Sequence, residues 1–285
     1  MASLRQIRRR LRSVQSTKQI MRAMQLVAGS KLKRTQSRLA QAQTVLGFLT
    51  DLAQRVLASS QLPSHPLTTG RDEQGSLLVV FTSDTGLCGS YNTNLIQLAE
   101  THLIRDTATR THLIFIGKKG YRALTRRGYE ASGAYLDLAG RPDIIKAEQI
   151  GRQIMERFTS GQVGSVQMLY AKPVSASSSR PVIAPWLPIS LAPRPSPLAP
   201  LEYIFEPSPQ RIMDELLPRW ALANFVVTML EAFVSEHSAR MMAMKNATDN
   251  AEELLGELTR QRNKVRQATI TKELSEIVGT VEALK

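Results

Sequence analysis

Apolar residues in the first sixty positions recur in alternating steps of three and four. One line runs through Leu4, Leu11, Leu32, Leu39 and Leu46, with Lys18 and Gln25 in the slots between Leu11 and Leu32. The other runs through Ile7, Val14, Met21, Ala28, Ala42, Leu49 and Val56, interrupted by Thr35. Such a narrow double line is the seam of a coiled coil. The last seventy residues repeat the pattern. Trp220, Val227, Val234, Met241 and Leu255 form one line, and Ala223, Leu230, Met244, Ala251, Leu258 and Val265 the other. After Val265 the phase shifts to Ile270, Leu274, Ile277, Val281 and Leu284, so the final turns are expected to meet different neighbours. Proline is absent from Met1 to Leu62 and from Arg219 to Lys285, and each run holds only two glycines. Both runs therefore predict long helices, and the second could reach roughly 100 Å at ~1.5 Å per residue.

The texture changes between them. Leu77 to Phe81, Thr111 to Ile116 and Val166 to Tyr170 read as buried strands, and Leu201 to Phe205 as a last one. Helical patterns separate them at Asn92 to Ile104, Lys118 to Arg127 and Asp143 to Thr159. This alternation predicts an α/β domain with a mostly parallel sheet. A Pro- and Ser-rich stretch from Lys172 to Pro200 reads as irregular, and Pro207-Ser-Pro-Gln opens the final helix, which carries Pro218 near its start. The expected organisation is a helix over 1–60, a central domain over 61–206 and a helix over 207–285. The economical packing of the two end helices is antiparallel.

Composition narrows the class. Apolar residues make up 42 % of 285, enough for a core, and the longest apolar runs suit buried strands rather than a membrane span. The lone Cys88 cannot form an internal disulfide. The helical pattern starts at Leu4 despite an arginine-rich beginning, so a cytoplasmic protein without a leader is expected. Net charge is +13, and eleven basic residues from Arg5 to Arg38 precede the first acid, Asp51. A block like this is either a solvated helix face or a surface for an acidic partner.

Candidate chemistry is sparse. No phosphate-binding G-x-x-x-x-G-K-[ST] and no G-x-G-x-x-G follows a strand. The four histidines lack metal-ligand spacing. The loop Ser83-Asp-Thr-Gly-Leu-Cys-Gly-Ser90 lies between a strand and a helix, where α/β sheets often bind ligands. It carries a thiol but neither an adjacent base nor a second cysteine. The preferred reading is a tight turn, with Gly86 and Gly89 supplying backbone freedom, Asp84 and Asn92 capping, and Cys88 packed as a small apolar residue. The methionines Met21, Met241 and Met244 lie on the heptad lines and read as core, whereas Met24 sits off the seam and is expected to face outward.

Three stretches are similar to one family. Ile7-Arg8 and the run Ser13-Val-Gln-Ser-Thr-Lys-Gln-Ile-Met-Arg-Ala-Met-Gln-Leu-Val-Ala28 resemble the N-terminal motif of the γ subunits of F-type ATP synthases. Ser83 to Gly89 resembles their central motif. Ser235-Glu236, Arg240 to Ala251, Asn263 to Ala268 and Ile270 to Gly279 resemble their C-terminal motif. The resemblance spans the whole chain in order. It implies a long antiparallel coiled coil of N- and C-terminal helices plus a central Rossmann-like α/β domain. It implies a rotor shaft without catalytic residues, cofactor, metal or small-molecule substrate of its own. The implied partners are three α and three β subunits, the ε subunit and the membrane c-ring, at the cytoplasmic face of a bacterial plasma membrane. Arg22 and Met24 correspond to the shaft region facing β loops, and Arg266, Gln267, Thr271 and Glu273 to polar groups that catch β. The sequence departs from the pattern at Arg262, at Thr280-Val281 and over Pro181 to Pro200. Two other readings make different demands. A basic nucleic-acid binder would want aromatic residues for stacking, and none precedes Phe48. A nucleotide-dependent enzyme would want the missing phosphate loop.

Overall fold

The computed structural model describes residues 4–59, 65–70, 75–105, 111–138, 140, 143–175, 178–191, 206 and 208–283. Two helices dominate: α1 (Leu4–Ser59, 56 residues) and α5 (Pro209–Ala283, 75 residues). Between them lie β1 (Ser76–Phe81), α2 (Tyr91–Arg105), β2 (Thr111–Ile116), α3 (Lys118–Thr125), β3 (Gly133–Tyr135), α4 (Ile144–Thr159), β4 (Ser165–Pro173) and β5 (Ser179–Leu187). The chain divides into two compact units, residues 29–240 and residues 1–28 with 241–285. Helices α1 and α5 contribute to both.

The larger unit holds a five-stranded sheet in the order β3-β2-β1-β4-β5. Strands β1 to β4 run parallel, and β5 is antiparallel to β4. Strand β1 is buried along its whole length, as a central strand covered on both faces must be. On one face Leu78 and Val80 pack with Tyr91, Leu95 and Ala99 of α2 and Leu124 of α3. On the other, Phe81 meets Phe225 of α5 with ring centroids 5.8 Å apart, and Trp186 of β5 meets the same ring at 5.0 Å. Trp186 Nε1 donates to Ala221 O at 3.0 Å, which satisfies the indole of a residue that is 2 % exposed.

From Ala221 to Ser238 almost every α5 residue is buried or half-buried, because the sheet lies on one side and α1 on another. On the α1 side Trp220 Nε1 donates to Thr50 Oγ1 at 2.8 Å and Gln43 Nε2 to Glu231 Oε1 at 3.4 Å. Rising numbers on α1 meet falling numbers on α5, so the pair is antiparallel in this unit. One 18-residue window of α5 is apolar enough to cross a membrane, but 67 % of it is buried inside the chain. Packing against sheet and helix accounts for that apolarity.

In the smaller unit Ile7 and Ala28 of α1 and Met244, Ala251 and Leu258 of α5 are buried, and Lys18 Nζ pairs with Glu252 at 3.1 Å. The polar residues that interrupt the heptad lines prove to occupy the seam. Thr248 fills the slot between Met241 and Leu255, is buried, and donates its hydroxyl to Met244 O at 2.8 Å. In the larger unit Thr35 is 1 % exposed and donates to Lys31 O at 2.9 Å. A threonine that bonds its own preceding turn can be buried without an unpaired hydroxyl.

Two sequence expectations need adjustment. Much of the Pro- and Ser-rich stretch is strand: β4 runs on to Pro173, and β5 contains Pro181 and Pro185. Strand β5 lies at the edge of the sheet, where a missing backbone N–H costs no ladder bond on the open side. Strand β3 was not expected; its three residues, Gly133-Ala-Tyr135, carry too short a pattern to read. The final helix begins at Pro209, with Ser208 Oγ accepting from Arg211 N at 3.3 Å as its N-cap. The strand expected at Leu201 to Phe205 lies outside the described residues.

Candidate functional site

The two sets of surface residues singled out by resemblance lie on bare helix in the smaller unit. Arg22 and Met24 are exposed on α1. Two residues apart means about 200° of rotation, so they project on opposite sides of the helix. Arg22 Nη1 donates to Gln25 Oε1 at 3.0 Å. Met24 is 40 % exposed and shares a stripe with exposed Ile20 and Val27, at i−4 and i+3. Arg266, Gln267, Thr271 and Glu273 are all exposed on α5. By helical spacing Arg266 and Glu273 share one strip, while Gln267 and Thr271 share another about a third of a turn round the helix. Thr271 Oγ1 donates to Gln267 O at 3.0 Å, back into its own helix. Around them Ile270, Leu274, Ile277 and Val278 are exposed as well, an apolar stripe on the last turns.

The Ser83–Ser90 loop is built differently. Its polar groups are turned onto protein. Asn92 Oδ1 accepts from Ser83 N at 3.0 Å, and Asn92 Nδ2 donates to Cys88 Sγ at 3.1 Å. Asp84 Oδ1 accepts from Lys118 N at 3.0 Å, capping α3, and from Asp137 N at 3.2 Å. Cys88 is 2 % exposed, so it packs and is not presented to solvent. At the mouth of the loop sits Arg240 of α5. Its Nε donates to Gly86 O at 3.3 Å, and Nη2 donates to Thr85 O at 3.2 Å and Thr85 Oγ1 at 3.0 Å. Its Nη1 pairs with Glu236 Oε1 at 2.8 Å, one turn back.

Burial dominates the electrostatics here. It pushes the Glu236 carboxyl up from its ordinary value, against the pull of the Arg240 guanidinium. It pushes His237 down to about 4, aided by the positive charges of Arg240 and Lys31, although the hydrogen bond to Gly140 opposes the shift. His237 Nε2 lies 2.9 Å from Gly140 O and donates to it, while Nδ1 is buried without a partner. Glu236 and Arg240 stand in the C-terminal motif with no role evident from the motif itself. The i,i+4 spacing of acid and arginine was the available signal. Among the described residues no group of three or more His, Cys, Asp or Glu side chains is placed to hold a metal ion.

A profile of the ATP synthase family matches residues 3–284. An ATP synthase gamma chain of Desulforamulus reducens is 38 % identical over 285 residues, covering 100 % of both chains. The chain belongs to the ATP synthase gamma chain family. A gamma chain of Desulfitobacterium hafniense is 40 % identical over 286 residues, again over 100 % of both chains. Among solved structures, a chain of the Euglena gracilis mitochondrial ATP synthase (OSCP/F1/c-ring, rotational state 3) matches with a TM-score of 0.70 at 20 % identity, over 99 % of this chain and 94 % of that one. A chain of the Tetrahymena thermophila mitochondrial ATP synthase central stalk and c-ring matches with a TM-score of 0.59 at 20 % identity, over 80 % of this chain and 99 % of that one. At such identities the likeness speaks for the fold alone.

Proposed function

We propose that this chain is the central shaft of an F-type ATP synthase and carries no active site of its own. The observation that supports this best is family membership, with the family profile matching residues 3–284 and gamma chains aligning along all 285. The exposed polar and apolar groups on the last turns of α5 fit the reading, because such a surface suits a socket made by other chains. In this reading the partners are three α and three β subunits, the ε subunit and the c-ring. The complex sits at the cytoplasmic face of a bacterial plasma membrane. Segments 1–60 and 207–285 form the shaft, and 61–206 the domain that engages ε and the ring.

The mechanism follows from symmetry. One chain inside a ring of three αβ pairs cannot present the same face to all three. Each β subunit therefore meets a different strip of α1 and α5 and is biased toward a different nucleotide affinity. Rotation by the ring exchanges the strips, and bound ADP and phosphate are carried through the cycle of affinities. The shaft must touch β firmly enough to bias it and weakly enough to move on. Exposed charges such as Arg22, Arg266 and Glu273 suit this, since surface ion pairs are individually worth about 1 kcal/mol or less. Met24 offers β loops an apolar contact, and Gln267 and Thr271 offer uncharged hydrogen-bonding groups.

The test is reconstitution. Purified with the α and β subunits of its own organism, the chain should form a stoichiometric complex whose ATP hydrolysis collapses when the chain is left out. Lack of co-assembly, or hydrolysis indifferent to its omission, would sink the reading.

A further inference from the structure

The turn of α5 from Ser235 to Arg240 is bonded to segments far apart in sequence. Ser235 Oγ donates to Ala171 O of β4 at 2.7 Å. His237 Nε2 donates to Gly140 O, in the β3–α4 connection, at 2.9 Å. Arg240 spans Thr85 and Gly86 of the β1–α2 loop with bonds of 3.0 to 3.3 Å, and its side chain is only 15 % exposed. The receiving loops are braced in turn, because Asp84 Oδ1 accepts from both Lys118 N and Asp137 N. Gly140 fits so closely that a Cβ there would stand 2.7 Å from His237 Cε1. Arg240 is also the last residue of the larger unit.

Apolar packing alone would hold a helix against a sheet without fixing it sharply about its own axis, because dispersion contacts are non-directional. Directional bonds from side chains that reach away from the axis resist twisting at a lever arm. The forked guanidinium is suited to this, since it engages several acceptors in one rigid plane. We propose that Arg240, seconded by His237, is the twist lock that ties the sheet domain to α5, so that torque applied to the domain enters the helix without slack. Arg240 is a positioning residue for energy coupling: it need touch neither β nor nucleotide. This rests on the shaft reading above.

The experiment uses the complete reconstituted synthase in vesicles with Arg240→Ala and Arg240→Lys. Lysine keeps the charge beside Glu236 but cannot span two carbonyls and a hydroxyl. Both variants should assemble and hydrolyse ATP at rates near wild type. Ion-driven synthesis should fall by about tenfold or more relative to hydrolysis, the factor that goes with one lost charge-assisted contact. The deficit should grow as the opposing ATP/ADP ratio is raised, because slack matters under load. A purely stabilising residue would lower assembly, synthesis and hydrolysis together and show no load dependence. Parallel losses, an unchanged synthesis-to-hydrolysis ratio in both variants, or failure of both to assemble would overturn the lock. If the wild-type chain itself supported no coupled synthesis, the shaft reading would fall instead.

Discussion

At His237, burial keeps the imidazole neutral down to about pH 4. The unfolded chain protonates it near 6.5, so this residue's contribution is fully present above that pH and is lost as pH falls from 6.5 toward 4. Over that window it amounts to about 3 kcal/mol at most. Glu236 works in the opposite sense. Its folded pKa is raised, so the native chain takes up that proton more readily than the unfolded chain, and stability gains as pH falls. The two are separated by comparing wild type with His237→Gln, which retains a side-chain N–H donor for Gly140. The melting temperature of the variant should fall less between pH 7 and pH 4.5 than that of wild type. Equal slopes would mean that His237 is not held neutral. Gly140 itself has φ of 60°, and an added Cβ would collide with His237 Cε1 at 2.7 Å. Gly140→Ala combines left-handed strain with a clash in a packed site, and should cost about 2–4 kcal/mol in thermal unfolding.

Among the elements, α1 and α5 each carry a glycine that does no packing work. A Cβ built at Gly47 or at Gly256 meets nothing within 4 Å. Both lie inside helix, so Gly47→Ala and Gly256→Ala should each stabilise the chain by about 0.5–1 kcal/mol, read as a raised melting temperature. A destabilised Gly256→Ala would reveal a close approach at that position. Leu255→Pro, next to it, should do the reverse: loss of a backbone donor and a ring clash cost about 3 kcal/mol or more, and the complex should not assemble. Helical periodicity made α1 and α5 legible because it is repeated over many turns. It also placed the polar exceptions Lys18 and Thr35 at heptad slots, where they are half-buried and buried. The strands β1, β2 and β4 were legible as short apolar runs. Strand β5 was not, because Pro181 and Pro185 argue against a central strand and nothing local says that this strand is an edge. Strand β3 was too short to announce itself. The Arg240 contacts were illegible for another reason. They join positions 154 and 155 residues apart, and no local pattern reports which loop a long side chain will reach.

For the whole molecule, the open question is which exposed groups carry force. Charge does not single them out: the densest basic block runs from Arg5 to Arg38 on α1, not through Arg266 to Glu273 of α5. Arg266, Gln267, Thr271 and Glu273 came from resemblance, and by burial alone they look like any exposed helix face. What sets them apart is their setting among exposed Ile270, Leu274 and Ile277, where removal from water by a partner would strengthen each polar contact. A side chain caught in such a socket is worth more than an exposed one, about 2 kcal/mol or more on truncation. Arg266→Ala and Gln267→Ala should therefore each lower coupled ATP synthesis by about tenfold or more, the factor that corresponds to 1.4 kcal/mol. Neither should change the melting temperature of the isolated chain by more than a degree or two, because neither side chain is buried in it. Arg22→Ala is the comparison. If Arg22 meets β only through a screened surface charge, its effect should be small and vanish at high ionic strength, while the Arg266 deficit persists because a desolvated contact is screened less. Synthesis at wild-type rates in both α5 variants would remove these residues from the force-bearing surface and leave the apolar stripe to carry it.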